Sequence, residues 1–247
     1  MVDNNTQKFS NRHWFSGVVT KINLAKCCDA FIDIGVGLPD SEAWIMAESG
    51  FPPERIIGFE PHKDRFDNLK NAYPGTLVKC AVSAQECILR GMTGNDFVAK
   101  TMTTNDISLN KEYSYSSTEV EAVSIDSIVA QNQLKSACVW ADVEGSEYEI
   151  VLGSVRSLMA KFINTFFLEL RKNQTTYHIV SLLSRFGYYP VGSSGVATFG
   201  NIPVESLGGG SPISLLHLTD DEHSDVVFQY VEDMKLENFS FRIIDRN

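Results

Sequence analysis

The chain has 247 residues, 43% of them apolar and 21% charged, which suits one α/β domain with a sizeable core better than two small domains. No apolar run reaches the ~18 residues of a membrane span, and the polar start MVDNNTQKFSNRHW is no signal peptide, so a cytoplasmic protein without a membrane partner is expected. A net charge of −10 with no Lys/Arg cluster argues against nucleic acid as a partner, and five cysteines without C-x-x-C spacing suggest neither a disulfide framework nor a zinc site.

Residues 1–12 read as a flexible lead and 13–28 as a helix. Ala30–Ile34 (AFIDI) is a short buried strand that Gly35, Gly37 and Pro39 interrupt. Ser41–Glu48 is a short amphipathic helix with Asp40 as its N-cap and Gly50 as its stop. Arg55–Glu60 (RIIGFE) is a second strand. The stretch HKDRFDNLKNAY follows as a helix with Phe66, Leu69 and Tyr73 on one face, and Pro74-Gly75 ends it. Thr76–Val82 is a third strand. A β-α-β-α-β run of this kind predicts a parallel sheet with helices on both faces.

Residues 84–118 are irregular and read as short strands with a lid or substrate loop. Glu119–Ile125 alternates as a strand and Asp126–Gln133 reads as helical. The α/β rhythm then resumes: strand Ala137–Ala141, helix Ser146–Lys161 with Gly153 inside it, strand Asn164–Leu170, and helix Thr176–Phe186 with Gly187 as its C-cap. Strand-like runs at Ser214–Leu218, Val226–Val231 and Phe239–Ile244 predict an antiparallel C-terminal edge. The expected fold is a doubly wound, mostly parallel seven-stranded sheet with that edge, in a single domain over 1–247. The segments 84–118 and 188–215 would shape a substrate pocket.

Ligands of open α/β sheets sit at the carboxyl ends of the strands, near the point where strand order reverses. The residues there are rich in carboxylates: Asp33-Ile34-Gly35-Val36-Gly37, Glu60-Pro61-His62, Asp142-Val143-Glu144 and Glu169. A dinucleotide fingerprint would want a small residue where Asp40 stands, since a carboxylate at the helix N-terminus repels a pyrophosphate. S-adenosylmethionine (SAM) carries no phosphate and brings an ammonium and a sulfonium, so acidic surroundings suit it. Glu60 lies twenty-five residues after Gly35, a spacing at which a carboxylate accepts hydrogen bonds from ribose hydroxyls. Ala81, within the third strand, joins the cofactor set. In the run Asp142–Glu147, helix N-terminal charge accounts for Glu147, at roughly 0.3–1 kcal/mol, but poorly for Asp142 at a strand end.

FIDIG, IIGFEP, VSIDSI, ADVEGSEYEIVLGS and FFLEL occur in that order. The pattern resembles the FkbM-type branch of class I, Rossmann-like SAM-dependent methyltransferases, over about residues 30–171. The resemblance implies that Asp33, Gly35 and Gly37 line the methionine and ribose part of SAM. It implies further that Glu60 binds the ribose hydroxyls, Pro61 shapes the adenosine side, Asp142 stands by the methyl group and the acceptor, and Glu144 forms a polar wall of the acceptor site. Gly37 stands where the family often has Asn, Pro39 where it has its last glycine, and Trp140 where it has a lysine.

FkbM-like enzymes are associated with O-methylation of sugar or polyketide hydroxyls. A small-molecule or sugar acceptor is therefore the expected partner, with homo-oligomerisation left open. Asp142, Glu144, Glu169 and His178 are the candidate bases, and Asp142 with Glu169 form the candidate oxygen ligands of a divalent metal. The alternatives are a catalytically inactive SAM-fold binding protein and an NAD-dependent oxidoreductase.

Overall fold

Short apolar runs flanked by turn residues become the strands of one twisted sheet. The structure, a computed structural model, describes residues 28–37, 42–92, 117–143, 145–171, 174–190, 204–205, 212–213 and 223–230. The central strands β1 (Ala30–Ile34) and β7 (Ala137–Ala141) are buried at every position, as expected of parallel strands covered on both faces. β2 (Ile56–Phe59) and β3 (Thr76–Val78) extend the sheet on one side, and β8 (Ile163–Arg171) on the other, all in parallel. β12 (His223–Tyr230) then pairs antiparallel with β8, and β9 (Tyr188–Pro190) pairs antiparallel with β12. The sheet order is β3-β2-β1-β7-β8-β12-β9, so strand order reverses between β1 and β7. The α/β class, the parallel centre and the antiparallel C-terminal edge are as the sequence predicts.

Side-chain alternation along the strands builds two cores. Phe31, Cys138, Trp140 and Phe167 face the layer of α1 (Glu42–Glu48) and α2 (Lys63–Leu69). Ile32, Ile34, Val139 and Phe166 face the opposite layer. That layer is made by α3 (Ile125–Gln131), α4 (Glu147–Leu152), α5 (Val155–Met159) and α6 (Gln174–Arg185).

The third strand differs from the sequence expectation of an unbroken Thr76–Val82. The Cys80 amide donates to the Val78 carbonyl at 3.0 Å, and the Cys80 thiol donates to the Glu121 carbonyl at 3.0 Å. This tight turn sends β4 (Ala81–Val82) into a second, three-stranded sheet. There it pairs parallel with β6 (Ser117–Val123), whose other edge takes β5 (Cys87–Met92). The expected helix Ser146–Lys161 is also broken. At Gly153 the chain packs so closely on the Ser83 carbonyl that a Cβ would lie 2.2 Å from its oxygen. The helix over 62–73 stops at Leu69, leaving Tyr73 beyond its end. Among the described residues β10 (Val204–Glu205) and β11 (Pro212–Ile213) pair only with each other. The expectations for 1–12, 13–27, Asp40, 93–116, Ser214–Leu218 and Phe239–Ile244 lie outside the described residues. Among the described residues no helix is long and apolar enough to cross a membrane.

The break at Gly153 leaves α5 needing a cap, and Ser154 does not supply it because its hydroxyl donates to the Val151 carbonyl. Asp126, at the start of α3, does. Its carboxylate accepts from Arg156 N at 3.0 Å, Ser157 N at 2.8 Å and Ser157 Oγ at 2.7 Å. Asp126→Ala is expected to lower unfolding stability by about 1–3 kcal/mol, measured by chemical denaturation, since charge-assisted caps are worth that much. A change under about 0.5 kcal/mol would show that water replaces the cap without cost.

Candidate functional site

The site is built where β1 and β7 part. Asp142 N donates to the Ile34 carbonyl at 3.1 Å, and Gly35 N donates to the Phe59 carbonyl at 3.0 Å, so three strand ends are tied backbone to backbone. Gly35 has φ +84°, and a Cβ there would lie 2.1 Å from the Asp142 carbonyl oxygen. Only glycine allows this approach. The result is a cleft at the strand ends, open to solvent.

Gly35, Glu60, Pro61 and Asp142, all named from the sequence, line the cleft together with Arg65 and Ser146. Glu60 is buried, and its carboxylate is held from both sides. Gly37 N donates to Oε2 at 3.2 Å and His62 N donates to Oε1 at 2.7 Å. Each carboxylate oxygen carries two acceptor sites, so each retains capacity for a ligand hydroxyl. On β4 the alternation turns Val82 to the cleft and Ala81 away from it, against Val120 and Ala122.

Asp33 lies behind this wall, fully buried. The Tyr73 hydroxyl donates to Oδ2 at 3.0 Å, while Oδ1 has no hydrogen-bond partner among the described residues. Burial pushes the Asp33 carboxyl up to about 7; the Tyr73 hydrogen bond opposes this, and the charges of Asp142 and Glu60 add to it. Tyr73 is itself pushed well above the ordinary phenol range by burial and then by the Asp33 carboxylate. For stability the sign follows from the raised value: the folded state holds a proton that the unfolded state has released. Asp33 therefore contributes stability that is complete below the ordinary carboxylate pKa of 3.8 and is lost as pH rises through about 7.

The carboxylates after β7 separate in role. Asp142 faces the cleft. Glu147 folds back, its Oε1 accepting from Gly145 N at 3.0 Å, and burial raises its pKa. Glu144 lies outside the described residues. His178 is exposed on α6, with its ring 6.0 Å from that of Tyr148, and does not line the cleft. Glu169 stands one residue beyond the ladder pair Ala141↔Leu168, beside Asp142. No group of three or more His, Cys, Asp or Glu side chains able to hold a metal occurs among the described residues.

Trp140 is a core residue, in register with Asp33 and with its ring 5.5 Å from that of Phe167. Sequence reasoning named Tyr73 only as an apolar-face residue. The signal for its second role is Gly58 in the middle of IIGF, since an isolated glycine in a strand marks a close approach.

The model of the methyltransferase FkbM domain matches residues 33–190, more than half of the chain. Among solved structures, methyltransferase FkbM from Methylobacillus flagellatus KT, a crystal structure at 2.20 Å, is 15% identical with a TM-score of 0.43. The alignment covers 82% of this chain and 43% of that one, so this chain spans less than half of that protein's length. No curated protein matches.

Proposed function

Because the chain belongs to the FkbM methyltransferase family, we propose that it uses SAM to O-methylate a hydroxyl of a small molecule or sugar. Glu60 carries the reading: a buried carboxylate, braced by two amides, with acceptor capacity left on both oxygens, suits the paired hydroxyls of a ribose. The cradle at Gly35, which a Cβ would fill, admits a ligand close to the backbone of the first loop. The acidic surroundings of Asp33, Glu60 and Asp142 suit a cation and disfavour a pyrophosphate, which speaks against a dinucleotide cofactor.

Bound SAM supplies an electrophilic methyl group on a sulfonium. The chain's own part is to bind, align and move a proton. Gly35 and Glu60 position the cofactor, while Phe59 and Val82 give it an apolar wall. Asp142, at the switch point, stands where it can accept the proton of an acceptor hydroxyl. Holding nucleophile and methyl in line supplies much of the rate.

Thermal denaturation with ligands tests the cofactor. SAM and its demethylated product, S-adenosylhomocysteine (SAH), are expected to raise the melting temperature, by about 2.7 kcal/mol of added stability at a hundredfold excess over Kd, and NAD to leave it unchanged. Stabilisation by NAD but not by SAH would overturn the assignment.

A further inference from the structure

We propose that Tyr73 and Asp33 form a specificity element behind the cofactor cleft. The Tyr73 hydroxyl, carried across Gly58, steadies an ionised Asp33 and so makes the cleft prefer a cationic ligand over its neutral analogue. The inference rests on the SAM reading above.

The element is set by register. Asp33 on β1 has Gly58 on β2 as one neighbour and Trp140 on β7 as the other. Gly58 leaves a gap on the sheet that the Tyr73 ring fills: a Cβ at 58 would lie 2.5 Å from both Cζ and the hydroxyl oxygen of Tyr73. Trp44 on α1 props the ring edge to face, with centroids 5.4 Å apart. The hydroxyl is thereby delivered to Asp33 Oδ2 at 3.0 Å, and Oδ1 is left buried without a partner among the described residues.

The charged and titratable groups acting on this pair are Asp142 beyond β7, Glu60 beyond β2 and, on Tyr73, Glu42 of α1. All three are acidic, and Tyr73 is the group that favours the ionised carboxylate. Near neutral pH the Asp33 proton is therefore held only moderately. A positive charge entering the cleft favours the ionised form, and the proton leaves to solvent. A neutral ligand gives it less reason to leave.

SAM and SAH differ in this respect. The sulfonium of SAM is positive and the thioether of SAH is not, while the adenosine and amino-acid parts are shared. Asp33 does not line the cleft, so it acts through its field and not by touching the reacting atoms. An enzyme with such an element would hold its methyl donor and release its product.

Titration calorimetry on the full chain, with SAM and separately SAH, between about pH 5.5 and 7.5, tests the proposal. For the wild type, SAM affinity is expected to rise several-fold with pH and SAH affinity to change little. Buffers of different ionisation heat should show a proton released on SAM binding. The ligand's own α-amino group loses charge as pH rises and so works in the opposite direction.

Tyr73→Phe should weaken SAM about three- to tenfold in the acidic half of the range and less at the alkaline end, with SAH little affected, which corresponds to a shift of up to about one pKa unit. Asp33→Asn should flatten the SAM profile and cut the preference for SAM over SAH. This variant reads the proposal even if Tyr73→Phe fails to fold. A flat wild-type profile, or a pH-independent loss shared equally by both ligands in either variant, overturns the proposal alone. Failure of the wild type to bind either ligand overturns the cofactor reading together with it.

Discussion

Gly35→Ala is expected to abolish detectable cofactor binding and to destabilise the fold. The backbone at 35 has φ +84°, a region that costs a residue with a Cβ about 1–2 kcal/mol. The larger effect is steric. The added methyl would meet the Asp142 carbonyl oxygen at 2.1 Å, and that oxygen is part of the backbone and cannot rotate away. The first loop and the loop after β7 would have to separate, stretching the bonds that tie Asp142 N to Ile34 O and Gly35 N to Phe59 O. A total loss of about 2–4 kcal/mol in chemical denaturation is expected, with cofactor affinity down by more than about a hundredfold. A variant with wild-type denaturation and SAH affinity would show that the two loops do not meet in this way.

Glu60→Gln keeps the size of the side chain and removes its charge. Two consequences follow from the geometry. One carboxylate oxygen becomes an NH₂ group, which cannot accept from either Gly37 N or His62 N, so a buried donor faces a donor. In the proposed SAM complex the ribose hydroxyls would lose charge-assisted acceptors worth about 1.5–3 kcal/mol each, which converts to roughly 10²- to 10⁴-fold in affinity for the pair. Calorimetry with SAH reads the difference directly. A loss below about tenfold would remove the ribose role from Glu60 and with it the principal support for the cofactor's position.

These two residues were legible in the sequence, and the reason is physical. AFIDI and ACVWA are apolar at every position but Asp33 and short enough to be strands, so their ends could be located and the residues after them singled out. Gly35, Glu60, Pro61 and Asp142 follow such ends, and the structure brings them to one cleft. Where an apolar run crosses between layers, the reading failed. Ala81–Val82 follow TLV after only Lys79 and Cys80, yet they belong to a different sheet. Only the local turn at Cys80 marks the change. Helix periodicity likewise runs through Gly153, because the cause of the break lies seventy residues earlier, at the Ser83 carbonyl.

Tyr73 shows the same limit within the site. It fits the apolar face of the preceding helix by spacing, and its hydroxyl finds a partner forty residues away through a gap that Gly58 leaves. Charge at Asp33 is visible in a sequence. What supports that charge depends on which residue lies beside it across the sheet.

The insertion of β12 between β8 and β9 also constrains how the domain assembles. β8 is complete at Arg171 and β9 at Pro190, but the strand that joins them begins only at His223. Among the described residues nothing but β12 pairs with that edge of β8 or with β9, so during synthesis both wait until a late segment arrives and slots between them. An edge left waiting in this way invites pairing with other chains. A chain stopped before His223 should accumulate as aggregates, whereas the full chain closes that edge with β12.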